Sequence, residues 1–314
     1  MKGQVMNVLL VGVGPIGSEY AKVLNALAID AVACGRNGDR CAQFQKDTGL
    51  ATTAGGLENY LQTHGCPEAA IVAVSEAQLG SVTGQLIEAG VKRILVEKPG
   101  AGNAVEIRDL AQLAKAKRCD VRVGYNRRFY SSVLRAQEMI EEDGGITSFN
   151  FEFTEWAHRI EPLVKEPGVK ELWFLHNSTH IIDLAFHLCG FPSQINSIAQ
   201  GSLSWHPAAR FVGSGVSDRG AVFSYFADWE GPGRWGLEIL TRRRRLIFRP
   251  VEALQVQVLG SVTIEPVKLD DTLDTQFKPG YFRQVEAFFS QPLKLLSLDQ
   301  QCNNLDIYNR IIAQ

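Results

Sequence analysis

The chain has few of the features that give a partner away at sight. Its six cysteines, Cys34, Cys41, Cys66, Cys119, Cys189 and Cys302, include no C-x-x-C pair, and no histidine stands at zinc-finger spacing from them. A structural zinc needs clustered ligands, so no metal is expected, and scattered reduced thiols suit a reducing compartment. No apolar run approaches the roughly 20 residues of a membrane helix. The first apolar run leads into a glycine motif rather than a cleavage site. Together these absences point to the cytoplasm. Charge of one sign is lacking as well: 32 Lys and Arg against 34 Asp and Glu leave a formal net charge of −2. That balance excludes general attraction to nucleic acid or to an anionic membrane. There is no internal repeat, no low-complexity stretch and no Pro- or Ser-rich linker.

What is present is the composition of a globular protein, 45% hydrophobic and 21% charged. At 314 residues the chain exceeds the size at which a single core usually stops growing, so two domains are expected. Residues 5–11 (VMNVLLV) form the nearly continuous apolar run of a strand covered on both faces. Gly12-Val13-Gly14-Pro15-Ile16-Gly17 follows, then a helical stretch at 18–28 and a second short strand at 29–34. A G-x-G-x-x-G in this strand–turn–helix–strand context is a dinucleotide-binding signature. Gly12 permits the tight turn, Gly14 lets a pyrophosphate approach the backbone, and Gly17 lets the helix pack closely. The helix N-terminus supplies N–H groups to the phosphates.

The end of the second strand bears on which dinucleotide is bound. NAD binders place an acid there for the ribose hydroxyls. Here it reads Cys34-Gly35-Arg36-Asn37, with Asp30 too early and Asp39 too late. Arg36 suits a 2′-phosphate, so NADP(H) is favoured over NAD(H), although Arg36 would also serve as a solvated loop charge. Alternation continues through a strand at 69–74, a helix at 81–90 with Gly90 as its cap, and a strand at 93–96 that runs into Glu97-Lys98-Pro99. A helix at 104–117 and a strand at 121–123 follow. Such repeats imply a doubly wound parallel sheet. The candidate cofactor-binding residues are Gly12, Gly14, Pro15, Ile16, Gly17, Gly35, Arg36, Asn37, Ser75, Glu97 and Lys98.

The glycine motif, Glu97-Lys98-Pro99, Gly124-Tyr125-Asn126-Arg127-Arg128-Phe129 and Asn177-Ser178-Thr179-His180-Ile181-Ile182-Asp183, in that order, resemble the Gfo/Idh/MocA oxidoreductases. These are the enzymes of glucose–fructose oxidoreductase and inositol dehydrogenase type. The resemblance implies that Lys98 lies beside nicotinamide and substrate, and that His180 accepts or donates the proton at the reacting carbon. Independently of any family, hydride transfer to a carbonyl leaves an alkoxide, which a near-neutral His and an oxyanion-stabilising Lys both suit. Many members carry an Asp four residues before the histidine. Here His176 stands there, so the proton relay or the substrate contacts differ. Asp183 is read as supporting structure. The resemblance also implies dimers or tetramers formed through the second domain's sheet.

Beyond residue 124 the pattern changes to a helix at 131–142 and strand-like runs at 146–153, 221–227, 235–240 and 254–259, with a last helix around 302–313. An open, mostly antiparallel sheet is expected, giving an α/β fold with a Rossmann domain at 1–123 and an α+β substrate-binding and oligomerisation domain at 124–314. Candidate substrate contacts are Arg127, Trp156, His176 and His180, drawn from segments rich in aromatics and hydrogen-bonding groups that suit a sugar-like ring. Arg127 and Arg128 would reach a phosphate or carboxylate, unless one of them pairs with a structural acid. The basic run 241–245 (TRRRR) reads as a strand with Arg242 and Arg244 on one side and Arg243 and Arg245 on the other. It is either a solvated strand or subunit contact, or an anion site. The expected activity is hydride transfer between a nicotinamide and a hydroxyl or carbonyl carbon of a sugar, cyclitol or sugar nucleotide. Two alternatives stay open: a non-catalytic dinucleotide-binding sensor or scaffold, and an imine or tetrapyrrole reductase of the same fold.

Overall fold

The computed structural model describes residues 7–313, so Val5 and Met6 of the first expected strand lie outside the described residues. The chain divides into two compact units. The first is a parallel sheet: β1 (Val8–Val11), α1 (Pro15–Ala26), β2 (Ala31–Cys34), α2 (Gly38–Thr48), β3 (Ala51–Thr53), α3 (Gly56–His64), β4 (Ala69–Val72), α4 (Leu79–Glu88), β5 (Arg93–Glu97), α5 (Ala104–Lys117) and β6 (Asp120–Gly124). β1 and β4 are buried at every residue, as strands covered on both faces must be. The spatial order β6-β5-β4-β1-β2-β3 reverses direction between β4 and β1. At such a switch point a crevice opens at the carboxyl ends of the strands.

Helix ends follow local chemistry. Pro15 takes the first position of α1, where a missing N–H costs nothing. Asn37 caps α2 by accepting from the Arg40 N–H at 2.9 Å, and Asn103 caps α5 in the same way from Glu106. Gly90 follows α4 in the left-handed region, φ +95°.

The second unit holds α6 (Ser131–Glu142), β7 (Ser148–Glu152), α7 (Ala157–Ile160), α8 (Thr179–Cys189), β8 (Pro192–Gln200), β9 (Arg210–Ser217), β10 (Val222–Asp228), β11 (Gly236–Leu240), β12 (Arg244–Phe248), β13 (Gln255–Val258), β14 (Ile264–Pro266) and α9 (Thr272–Gln276). Its eight strands run β14-β13-β12-β11-β7-β10-β9-β8, antiparallel except for the parallel β7–β10 pair. In β10 Phe223 and Tyr225 face inward while Val222, Ser224 and Phe226 face out, the period of a sheet with one covered face. Phe149 and Phe151 of β7 pack edge-on against Phe186 of α8, with ring centres 6.2 and 5.5 Å apart. Aromatic pairs of this kind add about 1 kcal/mol each beyond simple burial. They seat α8, the helix that carries His180.

The basic run is a strand only at its end, where Arg244 and Arg245 open β12. Residues 241–243 form the turn between β11 and β12, because Thr241 Oγ1 accepts from the N–H groups of Arg243 and Arg244 and donates to Asp143. Arg244 pairs with Glu142 and Asp143, and Arg245 with Glu238. These pairs fit the structural reading of the run.

The chain then returns to the first unit with α10 (Tyr281–Ser290) and β15 (Leu296–Ser297), which adds antiparallel to the edge of β6. α11 (Leu298–Ile312) begins in the first unit and ends in the second. Among the described residues no helix is long and apolar enough to cross a membrane, and no group of three or more His, Cys, Asp or Glu could hold a metal ion.

Candidate functional site

Gly12 stands where β1 ends, with φ +121°, a conformation that side chains rarely adopt. Its N–H reaches Cys34 O at 3.0 Å, and a Cβ there would strike the carbonyl of Ala73, just past β4. A Cβ at Gly17 would strike the carbonyl of Gly12 itself, so the helix packs against the turn as well as the strand. At Gly14 nothing of the protein lies within 4 Å of a Cβ. The α1 N-terminus behind it has no side-chain cap and no acid in its first turn. Its N–H groups and positive dipole end therefore face open space.

Gly35 lies beside Val13 and Cys41, and Arg36 is exposed at the carboxyl end of β2. Asn37 has a structural duty as the α2 cap. Ser75 lies past β4, exposed, before a short 3-10 turn at Glu76–Gln78. All these residues share the carboxyl edge of the sheet, around the switch point between β1 and β4.

Lys98, half-buried, follows β5 on a loop fixed from both sides. Glu97 Oε1 accepts from the hydroxyls of Tyr20 and Tyr281 at 2.7 and 2.8 Å, and Gln284 Nε2 donates to Tyr20 at 3.0 Å. Burial and the neighbouring Glu97 carboxylate push the Tyr20 hydroxyl well above its ordinary pKa, which keeps it a donor. On the other side Gln301 donates to Pro99 O at 3.0 Å and to the Tyr125 hydroxyl at 3.1 Å. Glu97 thus anchors its own loop. Tyr281, Gln284 and Gln301 come from the returning segment, of which only the last helix was expected.

In the second unit His176 and His180 are both buried, at 4% and 7% exposure. Four residues apart, they do not share one continuous α-helix. Instead Phe174–Ser178 is a π-helical turn that leads into α8. Turns of this kind cluster at functional sites. This one presents Asn177 and Ser178 to Glu155, which accepts from them at 2.9 and 2.8 Å, from Trp235 Nε1 at 3.3 Å and from Arg234 at 3.2 Å. Burial raises the Glu155 pKa. Arg128 and Asp183 form a buried bidentate pair at 2.8 and 2.6 Å, so of the two adjacent arginines Arg128 has the structural acid. Arg127 lies over the Trp235 ring at 4.8 Å, and the His180 ring centre is 5.9 Å from that of Trp235. Trp156, 44% exposed, donates to Gly233 O at 2.6 Å and has Arg234 over its ring at 5.2 Å. Arg127, Trp156 and His180 therefore belong to one cluster. Arg234 and Trp235 complete it, although the sequence suggested only a strand there.

The family model described as the oxidoreductase family with NAD-binding Rossmann fold, Gfo/Idh/MocA, matches residues 6–125. This part of the chain is thus similar to the NAD-binding domain of the Gfo/Idh/MocA oxidoreductases. A search of curated proteins returns no match. Among solved structures the chain is similar to levoglucosan dehydrogenase in complex with NADH, with a TM-score of 0.78 and 18% identity over 98% of this chain and 96% of that one. An oxidoreductase of Desulfitobacterium hafniense named for NADPH gives 0.78 and 17% over 99% and 95%. UDP-N-acetylglucosamine 3-dehydrogenase of Acidithiobacillus ferrooxidans gives 0.73 and 15% over 98% and 96%. At these identities the likeness establishes a shared fold, and it extends over both units.

A dinucleotide fits the first unit on its own geometry. The open space at Gly14, the uncapped α1 N-terminus and the close approach at Gly12 and Gly17 together form a cradle for a pyrophosphate.

Proposed function

We propose that the chain is an NADP(H)-preferring dehydrogenase or reductase of a sugar, cyclitol or sugar nucleotide, working in the cytoplasm. The observation that carries this reading is the unfilled space before α1, at a turn where glycine is sterically required on both sides. Gly12, Gly14, Pro15, Ile16 and Gly17 would hold the pyrophosphate, Gly35, Arg36 and Asn37 the adenosine ribose and its 2′-phosphate, and Ser75, Glu97 and Lys98 the nicotinamide end. The nicotinamide, when bound, supplies or accepts the hydride. Lys98 holds positive charge at the substrate oxygen and lowers the cost of the developing alkoxide. His180 moves the proton, and Arg127, Trp156 and His176 orient the substrate. The sugar substrates named for levoglucosan dehydrogenase and the UDP-N-acetylglucosamine enzyme support this substrate class.

The test is a titration with NADPH and NADH followed by nicotinamide fluorescence, on wild type and Arg36→Ala. We expect tighter NADPH binding, and a loss of about tenfold in the variant for NADPH alone. Equal losses for both cofactors would remove the 2′-phosphate role, and no binding of either would remove the enzyme reading. Cofactor binding with no hydride exchange against any carbonyl would leave a sensor. Turnover of imines that survives His180→Ala would point to the imine or tetrapyrrole alternative.

The open face of the large sheet supports self-association. Ile198, Val212 and Phe226 pair in register across β8, β9 and β10, and are 57%, 50% and 45% exposed. Apolar bands of this kind mark interfaces. A dimer or tetramer by light scattering is the expected result, and a monomer would overturn it.

A further inference from the structure

Two hydroxyls converge on a single oxygen of Glu97. Tyr20 and Tyr281 both donate to Oε1, from rings that are 0% and 2% exposed and lie 4.9 Å apart. Gln284, also fully buried, donates to the Tyr20 oxygen at 3.0 Å. Gly124, at the end of β6, leaves the room in which they meet. A Cβ there would lie 3.3 Å from the Tyr20 hydroxyl and 3.4 Å from Gln284 Nε2.

The second oxygen of Glu97 is held by nothing. Among the described residues no group donates to Oε2 or pairs with it, yet the atom is not sealed in the interior, so it opens to solvent. Glu97 itself is half-buried at the carboxyl end of β5. A glutamate on a mobile loop would lose rotamer freedom on meeting a ligand. Here that loss is taken on folding, so the carboxylate is a fixed negative charge with one open oxygen.

The charges beside it are positive. Lys98 follows directly in the chain, and Lys278 Nζ lies over the Tyr281 ring, 5.0 Å from its centre. An oxidised nicotinamide ring carries a positive charge that the reduced ring lacks, and nearby protein charge tunes such rings. A lysine next to the oxidised ring repels it, and a carboxylate one residue away offsets that repulsion.

We propose that Glu97, fixed by Tyr20 and Tyr281, is the counter-charge for the oxidised nicotinamide and shifts the site's preference toward the oxidised cofactor. This rests on the reading of the loop after β5 as the nicotinamide end of the site. Whatever favours the oxidised ring also favours release of the hydride from the reduced one.

Calorimetric titration of the full chain without substrate, using NADP+ and NADPH and then NAD+ and NADH, reads this without turnover. Glu97→Gln keeps an oxygen for the two hydroxyls and removes the charge. It should weaken the oxidised member of each pair about tenfold relative to the reduced one. Tyr281→Phe keeps the ring and removes one donor, and should shift the ratio the same way by about threefold. Equal losses for both forms in Glu97→Gln, or an unchanged ratio, would overturn the counter-charge and leave the cofactor reading standing. Should that variant fail to fold, Tyr281→Phe and Tyr20→Phe carry the test, and an unchanged ratio in both would overturn it. Wild type that binds none of the four would overturn both readings together.

Discussion

In the first unit the candidate site is mostly main chain. Gly12, Gly14 and Gly17 act by what they lack, and the groups offered to a ligand are N–H donors at the start of α1. In the second unit the candidate site is made of charged and aromatic side chains, with Glu155 buried among Asn177, Ser178, Arg234 and Trp235 to hold them in place. A main-chain site needs small residues at fixed spacing, so it tolerates no side chain but stores little electrostatic energy. A side-chain site assembled from residues 127, 155, 177, 178, 180, 234 and 235 can be charged and directional, and each member depends on the others.

The comparison can be broken at several points. The largest effect is expected at Lys98, proposed above as the group that stabilises the developing alkoxide. Lys98→Ala should lower turnover about a thousandfold, roughly 4 kcal/mol of transition-state stabilisation, while NADPH affinity stays within a few-fold. Wild-type turnover in that variant would remove Lys98 from the chemistry. Next is Glu155→Ala, which strands Arg234, Asn177 and Ser178. Urea unfolding should register a loss of about 3 kcal/mol, and a loss below about 1 kcal/mol would show that the second site does not depend on its buried charge.

A third effect is acid sensitivity confined to the second unit. Burial first, then Arg128 and Arg219, push His187 down to about 3 from its ordinary 6.5. Between those values the unfolded chain takes up a proton that the folded chain refuses. Stability is therefore full above about pH 6.5 and falls by about 1.4 kcal/mol per pH unit as acid is added. Urea unfolding at pH 7 and 5.5 should show this slope, and His187→Gln should reduce it; an unchanged slope in the variant would assign it elsewhere. The smallest expected change in stability is at Gly14. Gly14→Ala should unfold within about 0.5 kcal/mol of wild type, since its methyl meets no protein atom, yet bind NADPH about tenfold more weakly. A stability loss without a binding loss would mean that the open space serves the fold alone.

How much could be read in advance follows the same division. The helices at Ala104–Lys117 and Ser131–Glu142 match the expected ranges residue for residue, because apolar spacing and a local boundary define each. The buried strands of the first unit were plain from their apolar runs. α2, with its polar GDRCAQFQKDT, and β8 and β9, rich in Ser, Gly and Gln, carry no such pattern and went unread, while β12 was read only through its first two arginines. The glycine cradle was legible because its spacing is a steric requirement. The cluster around Trp235 was legible only in part, through Arg127, Trp156 and His180, because Glu155 and Arg234 meet through tertiary packing across 79 residues of chain.

The return of residues 276–303 to the first unit has a consequence for how the molecule is made. The residues of the glycine turn leave the ribosome early, but the strand that closes the β6 edge and the groups that brace Glu97 and Pro99 are translated after the whole large sheet. Domains usually fold as they emerge. This one must wait, with an open sheet edge and a loosely held lysine loop, until its last part arrives. Synthesis order thus makes the cofactor half, first in sequence, the later of the two to reach its final form.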